Sequence, residues 1–145
     1  MEIRKATNTT GAEVLGVDVA TGIDAETAEA IRTALDEHGV IVLRNQNVTP
    51  EQQVAFTHLF GEPDINFNAL RFGIDGSPEI YIISNINKDG KPIGTRRAGE
   101  NWHTDGAYDE VPFKATQLYA LAVPSNGGDT LFSSMYAAYD ALPQR

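Results

Sequence analysis

The sequence Asn-Trp-His-Thr-Asp-Gly at residues 101–106 contains a His-x-Asp unit, and it follows a long segment that is rich in Gly, Lys and Arg. On an extended chain, residues two apart project to the same face. The imidazole of His103 and the carboxylate of Asp105 can therefore point together into one cavity. Such a pair supplies two of the three ligands in the facial triad that holds Fe(II) and leaves coordination positions open. Two interpretations stay open here: part of an iron site, or an ordinary hydrogen-bonded pair at the surface.

Two helices are predicted upstream of this unit. Asp24 is a typical N-cap residue, apolar residues recur at helical spacing after it, and Gly39 can end that helix. The second helix begins at residues 49–52, Thr-Pro-Glu-Gln, where a capping box coincides with a proline in the first turn. Gly61 is expected to end it. His38 and His58 fall within these two helices and are interpreted as ordinary helix residues.

Short strands are predicted where β-branched and aromatic residues cluster. They are Val40–Leu43, Ile80–Ile83, Phe113–Val123 and a segment that starts at Leu131. The first of them is an uninterrupted apolar run, which is typical of a buried strand. Asn85–Asn101 is predicted to be a loop, and Ser134 to cap a short helix. This order favours an α+β domain with a sandwich or barrel toward its C-terminal end.

Composition narrows the class of protein. The 145 residues suggest one domain, and 11 basic against 20 acidic side chains give a net charge of −9. So acidic a surface disfavours nucleic acid and anionic membranes as partners. The absence of cysteine excludes disulfide scaffolds and thiolate metal sites. With no apolar leader or membrane-length run, we expect a soluble, cytoplasmic protein, and a homo-oligomer stays open.

The wider arrangement resembles the TauD/TfdA (taurine dioxygenase) family of Fe(II)- and 2-oxoglutarate-dependent dioxygenases. The resemblance covers nearly the whole chain and keeps the order of the motifs. Its downstream parts are Trp-His-Thr-Asp at 102–105, Pro-Ser-x-Gly-Gly-Asp-Thr at 124–130 and Ala-Tyr-x-Ala-Leu at 138–142. Its upstream parts are residues 39–46, 49–52 and 60–62.

This resemblance implies a fold and a set of roles. The fold is a double-stranded β-helix (a clavaminate synthase-like jelly-roll) with N-terminal helices, of which residues 1–145 would be the incomplete N-terminal part of a single domain. His103 and Asp105 match the first two iron ligands, and Thr130 matches the threonine that binds the distal carboxylate of 2-oxoglutarate. By similarity, Trp102 and Tyr108 pack beside the iron or line the substrate pocket. For Trp102 and Tyr108 the alternative is plain core packing, and for Thr130 an ordinary strand position.

Departures from the family pattern limit the expected substrate. Taurine dioxygenases carry histidine and tyrosine contacts for the substrate in the stretch that corresponds to Pro63–Ala69, and this chain does not. Asn66 is the pocket candidate there, and taurine itself is not expected as the substrate. The family's third iron ligand, a histidine, and the arginine that binds 2-oxoglutarate have no match in this chain. We therefore expect the 145-residue chain alone to show no turnover of 2-oxoglutarate.

Two functions from different classes remain. In the first, the whole protein is a dioxygenase that couples oxidative decarboxylation of 2-oxoglutarate to hydroxylation of a small substrate by O2. In the second, it is a non-catalytic jelly-roll module, in which His103 and Asp105 only hydrogen-bond. The basic residues of the loop before the motif would attract an anionic substrate or would simply be solvated. They are Lys88, Lys91, Arg96 and Arg97.

Overall fold

The computed structural model describes residues 1–143, which form two compact units. One unit comprises Met1–Asn47 together with the chain from Ala120 onward, and the other comprises Val48–Tyr119. The predicted domain 1–145 ends on Gln144 and Arg145, which lie outside the described residues. No helix within residues 1–143 has the length and hydropathy that a membrane span requires.

The first unit is built on a three-stranded mixed sheet. Its strands are β1 (Glu2–Lys5), β2 (Ala12–Leu15) and β3 (Ile41–Val42), in the order β1-β2-β3. A tight connection makes β1 and β2 antiparallel, whereas β2 and β3 are parallel because the helix α1 (Ala25–His38) crosses over between them. The sheet and the helix thus form a β-α-β unit.

Helix α1 begins and ends where the sequence predicts. The carboxylate of Asp24 accepts a hydrogen bond from the backbone N–H of Thr27 at 2.7 Å. Gly39 adopts a left-handed φ of 71° and donates its N–H to the carbonyl of Leu35. Alternate residues of β2 and one face of α1 are buried and form the core of this unit. These core residues are Ala12, Val14, Ala28, Ile31 and Ala34.

An ion-pair cluster joins all three strands on the face that carries Glu13. The Glu13 side chain is only 16% exposed. It accepts a hydrogen bond from Arg4, which is its partner in β1. It accepts another at 2.7 Å from Nε of Arg44, which lies just beyond β3. The pKa of Glu13 lies below the usual value for glutamate, mainly because of the hydrogen bond from Arg4. The hydrogen bond from Arg44 lowers it further. One carboxylate therefore bridges two guanidinium groups across the sheet.

Two strand predictions in this unit are wrong. The predicted buried strand Val40–Leu43 is only the two-residue β3, and Val42 is 39% exposed. β3 pairs with β2 alone among the described residues, so it is a short edge strand and not a buried central one. The chain from Leu131 is no strand, because it takes no part in any sheet that the structure describes. By contrast, the helix α4 (Met135–Asp140) is capped by Ser134 as predicted.

The second unit starts with the helix α2 (Pro50–Thr57). The predicted capping box at its N-terminus is confirmed: Thr49 and Gln52 exchange side-chain-to-backbone hydrogen bonds. The helix ends at Thr57, before the predicted Gly61, because a turn of a different type follows over 58–60. The short helix α3 (Ala69–Phe72) comes next and leads into two hairpins. Their strands are β4 (Gly73–Ile74), β5 (Ser77–Tyr81), β6 (Asn87–Lys88) and β7 (Lys91–Pro92).

The remaining predictions for this part of the chain need correction. The predicted strand Ile80–Ile83 is β5, which begins and ends earlier. The predicted loop Asn85–Asn101 contains the hairpin β6–β7, closed by Asp89-Gly90, which has φ angles of 51° and 75°. Phe113–Val123 is not a strand, since no described segment pairs with it. The mixture of helices and sheets is confirmed, while no sandwich or barrel forms within residues 1–143.

We expect Glu13 to make the stability of the first unit pH-dependent. Because its folded-state pKa is lowered, its contribution is fully present above the ordinary glutamate pKa of about 4.3 and is lost as the pH falls through the lower folded value. Chemical denaturation of wild type and Glu13→Gln should therefore give a difference in unfolding free energy that shrinks below about pH 4. Glu110→Gln, at an exposed position of the other unit, is the control. A pH-independent difference would contradict this role.

Candidate metal centre

His103 and Asp105 lie side by side in the second unit. The distance from His103 Nε2 to Asp105 Oδ1 is 3.0 Å, and the two side chains are 52% and 46% exposed. The two donor atoms thus approach each other as the spacing predicts, at exposed side chains, while their role as metal ligands stays a prediction. His103 lies in a segment without helix or strand, and a turn over residues 105–108 follows it. The pair is thus reachable from solvent and presents one nitrogen and one oxygen donor together.

Each member of the pair is held by a second contact. His103 Nδ1 lies 2.7 Å from the carbonyl oxygen of Asn101, so Nδ1–H donates there and Nε2 faces Asp105. The hydroxyl of Thr116 donates to the other carboxylate oxygen, Asp105 Oδ2, at 2.8 Å. Partners of this kind orient metal ligands in proteins. Sequence reasoning did not find Thr116, because no local pattern connects it to a residue eleven positions earlier.

The charge state of His103 fits this geometry. The hydrogen bond to the Asn101 carbonyl, followed by the charge of Asp105, raises the pKa of His103 above its usual value. A ring that carries a proton on Nε2 can donate it to Oδ1 across the 3.0 Å contact. A divalent cation competes with the proton for Nε2, since only the neutral ring nitrogen is a ligand.

The donor pair fits two adjacent positions of a divalent cation. Ligands about 2.1 Å from a metal and at right angles to each other are about 3.0 Å apart, which is the separation of Nε2 and Oδ1. One imidazole and one carboxylate are also two of the three ligands of the non-haem iron triad. No cluster of three or more His, Cys, Asp or Glu side chains occurs within the part of the chain that the structure describes.

Gly106 lets the turn after Asp105 form. Its φ is +65°, in the left-handed region, and a Cβ atom built there would lie 2.7 Å from the ring of Phe113. The Phe113 ring therefore packs directly on the glycine backbone, where no larger residue fits without displacing it. This contact fixes the chain immediately after the candidate ligand Asp105.

Three aromatic residues belong to the same unit. Trp102 and Tyr108 are 70% and 77% exposed, so the alternative of core packing does not hold for them. Tyr81 at the end of β5 is half-buried; burial first, and then the charges of Asp105 and Tyr108, raise its pKa. Tyr81 therefore lies near the carboxylate of the candidate site, and sequence reasoning missed it because it is 24 residues away from Asp105.

The other two predicted site residues lie elsewhere. Asn66 is half-buried, and its side-chain oxygen accepts hydrogen bonds from the backbone N–H and the side-chain amide of Asn68, both at 2.9 Å. Thr130 belongs to the first unit and is exposed, outside any described strand, so its predicted strand position is wrong. Its predicted role toward 2-oxoglutarate stays a prediction.

The basic loop residues divide into two kinds. Arg96 donates to the carbonyl of Asn85 at 3.3 Å and to the side-chain oxygen of Asn87 at 2.7 Å. Arg97 forms an ion pair with Glu100 at 3.3 Å. Both arginines are thus engaged within the loop, whereas Lys88 and Lys91 face each other across the hairpin β6–β7 at exposed positions.

Comparison with known proteins shows the family of this chain. The sequence model of the family described as taurine catabolism dioxygenase TauD, TfdA matches residues 2–145. The chain belongs to the TauD/TfdA family. This confirms the resemblance, which rested on motifs spread over nearly the whole chain.

Named members of the family are similar over almost the whole chain. The alpha-ketoglutarate-dependent 2,4-dichlorophenoxyacetate dioxygenase of Cupriavidus pinatubonensis is 32% identical, over 92% of this chain and 50% of the relative. The alpha-ketoglutarate-dependent sulfate ester dioxygenase of Pseudomonas putida is 32% identical, over 99% of this chain and 45% of the relative. A crystal structure of a taurine dioxygenase from Burkholderia xenovorans is 36% identical with a TM-score of 0.50, covering 55% of this chain and 28% of that one. The chain spans about half the length of the curated relatives that it matches.

We expect Gly106→Ala to damage both stability and metal binding. A left-handed φ costs a non-glycine residue about 1–2 kcal/mol, and the added methyl group would also displace the Phe113 ring beside Asp105. Gly90→Ala is the matched control, because Gly90 has a φ of +75° but open space around its Cβ position. Thermal unfolding and Mn(II) affinity should both fall more for Gly106→Ala than for Gly90→Ala. Equal losses in the two variants would show that the Phe113 contact is unimportant.

Proposed function

We propose that the chain is the N-terminal part of a single TauD/TfdA-type catalytic domain with a double-stranded β-helix. The whole protein is then an Fe(II)- and 2-oxoglutarate-dependent dioxygenase that hydroxylates a small anionic organic substrate and releases succinate and CO2. The observation that carries this proposal is the 3.0 Å approach of His103 Nε2 to Asp105 Oδ1 in a chain of this family. Both donors are accessible, and both are oriented by a further hydrogen bond.

The residues of the chain have distinct tasks in this proposal. His103 and Asp105 would hold Fe(II), with Asn101 fixing the ring tautomer and Thr116 fixing the carboxylate. Thr130 would bind the distal carboxylate of 2-oxoglutarate through its hydroxyl. Iron with 2-oxoglutarate supplies the chemistry that activates O2 for attack on an unactivated C–H bond. The protein's part is to position the substrate and to exclude water and side reactions.

The pocket would be formed by aromatic and polar side chains. Trp102 and Tyr108, both exposed beside the ligand pair, offer apolar surface that a bound substrate would cover. The anionic substrate class is supported by the exposed lysines on the hairpin β6–β7 and by the names of the relatives, which act on a phenoxyacetate and on sulfate esters. Asn66, whose oxygen is already engaged by Asn68, would present only its amide group.

A second candidate is a non-catalytic module of the same fold. It is favoured by the 3.0 Å contact itself, because an imidazole N–H and a carboxylate form a hydrogen bond without any metal. The two candidates differ in what a divalent cation does. In the enzyme it binds between the two side chains, whereas in the module it leaves this contact unchanged.

Turnover by the whole protein distinguishes these candidates. The assay supplies Fe(II), ascorbate and 2-oxoglutarate, with a panel of sulfonates, sulfate esters and aryloxy acids and the uncharged analogue of each, and it measures succinate. We expect succinate only with an anionic substrate, and a loss of at least about 100-fold for His103→Ala and Asp105→Ala. His58→Ala is the control: His58 follows the last residue of α2, where the sequence predicts a helix position, and it pairs with Glu62 at 3.6 Å. Succinate formation by the Asp105→Ala variant at the wild-type rate would refute the assignment, as would the absence of Fe(II) binding by the wild type.

A further inference from the structure

Resting on the proposed function, we infer that Thr116 is a positioning residue that reserves one carboxylate oxygen of Asp105 for the metal. The Thr116 hydroxyl donates to Oδ2 at 2.8 Å, while Oδ1 lies 3.0 Å from His103 Nε2. The two oxygens of one carboxylate thus have different partners. Oδ1 faces the imidazole nitrogen that would bind the cation, and Oδ2 is occupied by a protein hydroxyl.

The need for such a residue follows from the freedom of an aspartate side chain. Rotation of the carboxylate about its last bond is broad and roughly two-fold, so either oxygen, or both, can turn toward a cation. A carboxylate that binds through both oxygens occupies two coordination positions, and a co-substrate and O2 need those positions open. A hydroxyl that holds Oδ2 favours binding through Oδ1 alone.

Thr116 itself is exposed, so water competes for its hydrogen bond, and its position must be fixed by its neighbours. The segment 116–119, which we name the strap, supplies this anchorage. The side chain of Gln117 hydrogen-bonds to the Thr57 hydroxyl at the end of α2, and Tyr119 accepts from the backbone N–H of Val48 at 3.4 Å, just before α2. The strap is thereby attached at both ends of one helix.

Burial alternates along the strap. Gln117 and Tyr119 are half-buried, whereas Thr116 and Leu118 are exposed. The anchors Gln117 and Tyr119 are therefore the covered residues of the strap, and Thr116 is free to reach Asp105. The contacts of the two anchors with the ends of α2 thus hold the segment that carries the Thr116 hydroxyl.

Metal binding by the whole protein tests this role without any turnover. Thr116→Val keeps the shape of the side chain but removes the donor, and Thr116→Ser restores the donor. We expect Thr116→Val to bind Mn(II) about 10–100-fold more weakly than the wild type and to change the visible spectrum of bound Co(II), which reports coordination number. Thr116→Ser should recover both properties. Thr33→Val, an equal change at an exposed position of α1, should alter neither.

The outcomes separate this inference from the proposed function. The role of Thr116 would be overturned if Thr116→Val kept the wild-type Mn(II) affinity and Co(II) spectrum. If His103→Ala lost metal binding in the same experiment, the proposed metal site would still hold. Absence of Co(II) binding by the wild type would overturn both. If Thr116→Val unfolds at a lower temperature than the wild type, Thr116→Ala and Thr116→Ser are compared instead. Only the serine variant, which keeps the hydroxyl donor, should keep the wild-type Mn(II) affinity.

Discussion

The two oxygens of the Asp105 carboxylate have different partners, and the candidate site depends on this division. Oδ1 faces the imidazole of His103 and Oδ2 accepts from Thr116. The ring is turned toward Oδ1 because its Nδ1–H is bound to the Asn101 carbonyl. Directly after Asp105, the backbone of Gly106 lies against the Phe113 ring. The contacts with Asn101, Thr116 and Phe113 thus surround the two donor atoms Nε2 and Oδ1 and restrict their orientation.

The helices could be predicted from the sequence because their ends are determined locally. Asp24, Thr49 and Ser134 each bond to a backbone N–H three residues further on, so the pattern and the structure involve the same few residues. The strands could not be predicted as well. Residues 113–123 have the composition of a strand, but a strand exists only where another segment pairs with it. In the first unit the polar, exposed β1 gave no alternating pattern, although its pairing with β2 is complete.

The same distinction holds within the site. His103 and Asp105 are two residues apart, so spacing alone indicated that their side chains would meet. Thr116 and Tyr81 reach Asp105 only through the path of the chain, which passes through a turn, the strap and β5. Of the aromatic candidates, the family resemblance named Trp102 and Tyr108 but could not give their exposure, since exposure depends on what the rest of the fold covers.

The attachment of the strap to α2 has a thermodynamic consequence. If a cation binds better when Thr116 holds Asp105, then it binds better when α2 is intact, because Gln117 and Tyr119 connect the two. Coupling of this kind is reciprocal, so the cation must stabilise α2 against local opening by the same free energy. A change in the capping box at Thr49 should then alter the metal affinity of a site more than fifty residues away in the sequence.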